Sequence, residues 1–169
     1  MAAVVDLVGV KNAIKSLLDT ANTTTASPIY LSNGLTNKVQ KVLTVHPLMV
    51  MPQASYYPFV TCYVTDKSIQ SSGMAANALT VKRKAELSID VVGGVWCNNV
   101  TDDTKDAGDD QILYLMENVE MALRAATAET FTGKITFETP DRCQYFTSPL
   151  NEENSVRAGI LTLKATVYY

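Results

Sequence analysis

His46 is the only histidine in the 169-residue chain, so any histidine-dependent catalysis or metal binding must use it alone. It stands before Pro47 in a mostly apolar stretch, with no second metal-ligating or nucleophilic side chain at a useful spacing. Such sites need convergent partners, so His46 reads as a packed or solvent-facing residue. A second candidate is the acidic run Asp102, Asp103, Asp106, Asp109 and Asp110. Carboxylate oxygens suit a hard cation, but the spacing does not follow the D-x-[DN]-x-[DN]-G loop and lacks its closing glutamate. A solvated loop running into a helix start explains the acids better. Gly93-Gly94 is not followed by the G-K-[ST] of a phosphate loop and reads as a turn. Serine and cysteine nucleophiles lack an elbow of the G-x-S-x-G type. Cys62, Cys97 and Cys143 are odd in number, far apart and without a C-x-x-C pair. They favour neither a disulfide framework nor a zinc site, and suit a reducing compartment. We therefore expect no catalytic residues, no cofactor and no metal: the chain reads as a non-enzyme.

Composition points the same way. The net charge is -3, which offers no general attraction for nucleic acid or an anionic membrane. Hydrophobic residues make up 47% and charged residues only 18%, so some apolar surface is expected to be covered by neighbouring chains. Met1 to Val10 has no basic n-region and is interrupted by Asp6, unlike a secretory signal. No apolar run is long enough to span a membrane.

The elements that would position any functional surface follow from periodicity. Leu7, Val10, Ile14, Leu17 and Leu18 recur at helical spacing, predicting a helix from about Ala3 to about Asp19. The Thr-rich stretch Asn22 to Ser27 reads as a loop ending at Pro28. From Pro28 to Gln53 the pattern is mixed: Asn33-Gly34 is a turn signal, and Val39 to Val45 is a possible strand that His46-Pro47 would interrupt. After Pro58, Val60, Cys62 and Val64 alternate with Phe59, Thr61, Tyr63 and Thr65, the period of a strand. Leu79, Val81, Ala85, Leu87, Ile89 and Val91 form the inward side of a second strand. Between them, Lys67 to Ala78 is polar and small, and predicts a long antiparallel hairpin with a flexible tip. Ile112, Leu115, Met116, Val119, Ala122, Leu123 and Ala126 make the clearest helical stripe, with Asp109 and Asp110 at its start. Ile135 to Phe137 opens a further strand, an irregular stretch lies between Pro140 and Pro149, and a last strand runs from about Val156 to Tyr169. The expected fold is α+β, a mostly antiparallel or mixed sheet with two main helices on one face and a protruding hairpin, all in one domain.

Candidate interface residues come from this layout. Lys67, Ser68, Gln70 and Ser71 lie on the hairpin, and Lys82, Arg83 and Lys84 follow one another on its returning strand. Neighbours on a strand point to opposite faces, so the three basic residues make no single patch; they suit either acidic groups of an adjoining subunit or a solvated strand surface. Tyr168 and Tyr169 close the chain, and paired tyrosines at a strand end more often cover a core or an interface than stack on bases.

Five segments in this order carry a resemblance. They are KNAIKSLLDTA, the proline-led strand YPFVTCYVTD, the strand RKAELSIDVVGGVW, the helix DDQILYLMENVEMALRA and the terminal RAGILTLKATVYY. The chain resembles the tail terminator family of long-tailed bacteriophages, in which an [FY]-P-x-[VA] strand pairs with one of the type A-E-L-x-I-x-V. The likeness covers residues 1–21 and 56–169; residues 28–55 look like an insertion or arm relative to smaller members. The resemblance implies a hexameric ring that caps the tail tube, stops its polymerisation and offers a docking surface to the head. The implied partners are further copies of the chain, the tail tube protein and a head-completion or neck protein, with a sheath protein as a further candidate. DNA would pass through the lumen without specific binding, no membrane would be involved, and the protein would assemble in the host cytoplasm into the virion. Two other readings stay open: another neck or tail ring, such as a head-completion or tube subunit, and a soluble ligand-binding α+β domain.

Overall fold

Asp6 starts the first helix: its Oδ1 accepts the Gly9 N–H at 2.8 Å, satisfying one of the donors a helix start leaves free. In the computed structural model, which describes residues 6–51, 54–70, 84–98, 107–126, 135–138, 140, 142–149 and 154–168, helix α1 spans Leu7–Thr23. It ends four residues later than its periodicity predicts. Thr20 and Thr23 hydroxyls donate back to the Ser16 and Asp19 carbonyls, and Ala21 is buried, so tertiary packing overrides the weak propensity of the threonines.

Strands β1 (Lys41–Leu43), β2 (Phe59–Gln70) and β3 (Lys84–Asn98) precede helix α2 (Ala107–Ala125), and β4 (Ile135–Phe137), β5 (Cys143–Pro149) and β6 (Asn154–Tyr168) follow it. Together they form an α+β domain on one mixed, mostly antiparallel sheet in the order β1-β2-β3-β6. β4 and β5 lie in tandem along the outer edge of β6, so the six strands make a sheet five ranks wide. Only the β1–β2 pair is parallel among the described strands.

Both helices pack on one face. Val10, Ile14 and Leu18 of α1 and Ile112, Leu115, Met116, Val119 and Ala122 of α2 meet Val60, Cys62, Leu87, Ile89, Val91, Leu161 and Leu163 in one buried cluster. Each Leu or Ile so buried contributes about 1.5–3 kcal/mol relative to exposure.

The other face carries a smaller core at one end only. There Val50, Tyr57, Phe59, Val156 and Ala158 pack together, with Trp96 and Met51 at the margin. Tyr57 sits edge-on to both Phe59 and Trp96, at centroid distances of 5.0 and 5.4 Å. This is where the unexplained segment lies. Leu31, Val39 and Val42 join the helix-side core, while Val50 joins the opposite one, so the described part of 28–55 is laid against the domain on both sides.

Four local expectations are corrected. The strand read at Val39 to Val45 is only Lys41–Leu43, because Pro47 opens a 3-10 turn whose first N–H, at Leu48, donates to His46 Nδ1. Lys67 to Gln70 are strand, not hairpin tip; β2 and β3 stay paired from Phe59–Gly94 to Gln70–Lys84, with one irregularity at Thr65. Residues from Ser71 to Arg83 lie outside those described. Gly93-Gly94 is no turn but the middle of β3, where helix and ring approach the backbone from opposite sides. The stretch expected to be irregular between Pro140 and Pro149 holds β5, whose Gln144-Tyr145-Phe146-Thr147 core suits a strand.

Candidate assembly surfaces

Each sequence candidate for chemistry that the structure describes has its own surroundings. His46 is exposed, its ring tilted against Tyr63 at 4.8 Å. The Tyr63 hydroxyl donates to Asp90 at 3.4 Å, and Thr162 donates to the other Asp90 oxygen at 2.7 Å. Burial, then the Asp90 charge, raises the Tyr63 pKa, which keeps the phenol a donor. Asp109 pairs with Arg157 at 2.6 Å across the helix–sheet junction, and Asp110 is exposed in the first turn of α2. Asp102, Asp103 and Asp106 fall outside the described residues. Among the described residues no three His, Cys, Asp or Glu side chains stand close enough to hold a metal ion. Cys62 and Cys97 are buried and Cys143 half-buried, all three as free thiols.

Among the described residues, clefts open at two places on the sheet. One, of about 250 Å³, lies between Thr36, Trp96, Gly108 and Gln111 at the α2 start. The other, of about 210 Å³, is flanked by Asp66, Glu86, Glu138 and Lys164 on the helix-free face. Both fall below the roughly 300–1,000 Å³ of small-molecule pockets.

No family model matches the chain, and no curated protein sequence does either. What the structure offers beyond its fold is three kinds of open surface.

The first is one end of the sheet. Gln70, Lys84 and Tyr168 stand in one row across β2, β3 and β6, with Gln70 opposite Lys84 and Lys84 opposite Tyr168. The fold thus gathers most of the sequence candidates that it describes at a single strand end. Lys67 and Ser68 are exposed just below, opposite Leu87 and Glu86, hence on opposite faces. Lys84 pairs with Glu86 at 2.6 Å, and this contact holds the Glu86 carboxyl below its ordinary pKa. Ile69, 57% exposed, adds an apolar residue that the sequence reading passed over. Ser71, Lys82, Arg83 and Tyr169 lie outside the described residues, and of Tyr168 only the backbone is described.

The second surface is the pair of lateral edges. No described strand pairs the outer side of β1 or of β5. β5 carries no charged residue, and Tyr145 and Phe146 on it are exposed large hydrophobics. Tyr145 lies beside α2, where its ring and Met116 meet over Gly159. Burial, the neighbouring Cys143 thiol and the charges of Glu117 and Glu120 all raise its pKa. Nothing in residue type marked this strand as an edge; only pairing with β6 reveals it.

The third is a knob on the helix-free face. Thr61 Oγ1 donates to the Val45 carbonyl and accepts the Val45 N–H, which fixes the turn over β2. Leu48 and Met49 project from it at 69% and 71% exposure.

Proposed function

We propose that the chain is a structural virion subunit, a tail terminator: a protein that forms a ring, built of six copies in the resembled family's manner, caps the tail tube and presents a surface to the head. The observation that carries this reading is the separation of its open surfaces. The edges of a sheet face along the hydrogen-bonding direction, while the hairpin end faces along the strands. Neighbours joined through the edges would leave the hairpin end free to meet an axial partner, the tube protein. Two unlike edges suit a heterologous contact, which closes into a ring when the rotation per copy divides the circle. The exposed Leu48–Met49 turn offers a further contact, for a neck or head-completion protein, on a face that ring closure leaves uncovered.

The pattern resemblance supports the same reading, as does charge. A net charge of -3 gives a lumen little hold on phosphates, so DNA would slide rather than bind. No enzymatic step is needed for capping or docking. Electron microscopy and native mass measurement of the purified protein test the proposal: single closed rings are expected. Filaments would identify a tube subunit instead, and a monomer at high concentration would remove the ring altogether.

A further inference from the structure

Pro47 opens the 3-10 turn from which Leu48 and Met49 project. Met49 and Val50 donate to the carbonyls of His46 and Pro47, at 3.0 and 2.9 Å. Pro47 has no N–H of its own. That leaves Leu48, whose N–H reaches the His46 ring at Nδ1, 3.3 Å away. An imidazole nitrogen accepts only when it carries no proton, so this bond selects the neutral ring with its proton on Nε2. His46 thus takes the place that Ser, Asp or Asn ordinarily holds at a helix start. Unlike a hydroxyl or amide oxygen, it is an acceptor that mild acid removes.

The protonated ring has other partners at hand. It already leans on Tyr63, with ring centroids 4.8 Å apart and planes 53° from each other. Behind Tyr63, the Asp90 carboxylate accepts the phenol hydroxyl. Among the described residues, the titratable groups in line with His46 are therefore Tyr63 on β2 and, through it, Asp90 on β3. An aromatic ring and a carboxylate both favour an imidazolium. The turn is anchored on either side of this contact. Thr61 holds Val45 before it through two hydrogen bonds, and Val50 after it is buried. Loss of the cap frees Leu48 and Met49 and leaves the fold in place.

We propose that His46 is a proton-controlled cap. Its neutral ring holds the Leu48 N–H and sets the Leu48–Met49 turn; protonation hands the ring to Tyr63 and Asp90 and loosens that turn. The apolar knob is then firm at neutral pH and loose in mild acid. This device acts within one copy, whether or not copies assemble.

An NMR titration of the full chain tests it from about pH 8 to about pH 5, the range in which imidazoles change charge. Perdeuteration keeps the spectra readable if the protein forms rings. The Leu48 amide signal is expected to move with the same midpoint as the His46 ring signals, and the ring nitrogens to report a proton on Nε2 in the neutral form. Two variants mark the ends of the scale. His46→Asn supplies an amide oxygen as a permanent cap, so its Leu48 signal should stay near the high-pH position of the wild type. His46→Ala has no cap, and its signal should stay near the low-pH position. After correction for the intrinsic effect of pH, solvent exchange at Leu48 should be about fivefold faster at the acid end in the wild type, the worth of one cap, and constant in both variants. A Leu48 signal that ignores the His46 midpoint would overturn the proposal. So would one that still titrates in His46→Ala, which would assign the change to another group, and so would a neutral ring protonated on Nδ1, which could not accept.

Discussion

Cys62 lies under α1 with its Sγ 3.7 Å from the carbonyl oxygens of Lys11 and Leu43 and no exposed surface. Burial pushes its thiol up to about 11 from an ordinary 9.0, against a smaller opposing pull from Lys11 and Lys15. An acid whose folded pKa is raised contributes its full stability below the unfolded value and loses it as pH climbs toward the folded one. Stability should therefore hold to about pH 9 and fall between 9 and 11, with roughly 2–3 kcal/mol traceable to this thiol. Tyr57 and Tyr145, both also raised by burial, steepen the fall above pH 10. Urea denaturation at pH 8, 9, 10 and 11 measures it. A Cys62→Ala chain, less stable at neutral pH for its small cavity, should show a shallower alkaline slope; an equal slope would assign the loss elsewhere. The alternation of Val60, Cys62 and Val64 set this thiol on one side of its strand, although residue type alone leaves a cysteine equally at home in cores and at reactive sites. Asn118, a polar residue beside an apolar stripe, carried no such signal. It is 3% exposed and donates to the carbonyls of Leu31 and Asn33 at 3.0 and 2.7 Å, fastening the Pro28 to Gln53 segment to α2.

Among elements, β3 shows where periodicity succeeds and where it stops. Ala85, Leu87, Ile89 and Val91 are buried while Glu86 is exposed and Ser88 and Asp90 are half-buried, as the alternation predicts. From Val92 to Val95 both faces are covered, the alternation vanishes, and two glycines imitate a turn. They are there for close approach. A Cβ on Gly94 would stand 2.5 Å from Phe59 Cε1, a fully buried ring, and one on Gly93 would stand 2.7 Å from the Met116 sulfur. Neither has the positive φ seen at Gly34, so backbone strain does not enter. Alanine at Gly94 is expected to cost about 1–3 kcal/mol, since a ring packed edge-on to Tyr57 cannot yield easily. At Gly93 the flexible thioether can move, and the stiffened unfolded chain returns roughly 0.4–1 kcal/mol; the loss should be distinctly smaller. Thermal unfolding of the two variants ranks them, and the reverse order would show that the helix, not the small core, is the tighter side. α2 and the last strand were legible from their stripes. β5 was not, because an edge strand exposed on both faces has no alternation to read.

At the scale of the whole molecule, the packed core and the open surfaces are separable along the strands. The helix-side cluster is buried as far as Ala85 and Val167, but Ile69, opposite Ala85, is already exposed, so the β2–β3 pair has left the helices behind at its far end. Removing Ser71 to Ala78 should accordingly leave the unfolding midpoint within a few degrees of the full chain, a shift that corresponds to about 1 kcal/mol or less for a domain of this size. If the hairpin end is the axial contact, the shortened protein should still form rings through its edges yet fail to cap tubes, and tails assembled with it should overrun their normal length. Tails of normal length would clear the hairpin of that duty and move it to the Leu48–Met49 turn. A shortened protein that neither folds nor forms rings would show that the hairpin belongs to the core after all. Loop-borne recognition on a rigid scaffold is the general pattern, and here the scaffold supplies the row of Gln70, Lys84 and Tyr168 at that end of the sheet.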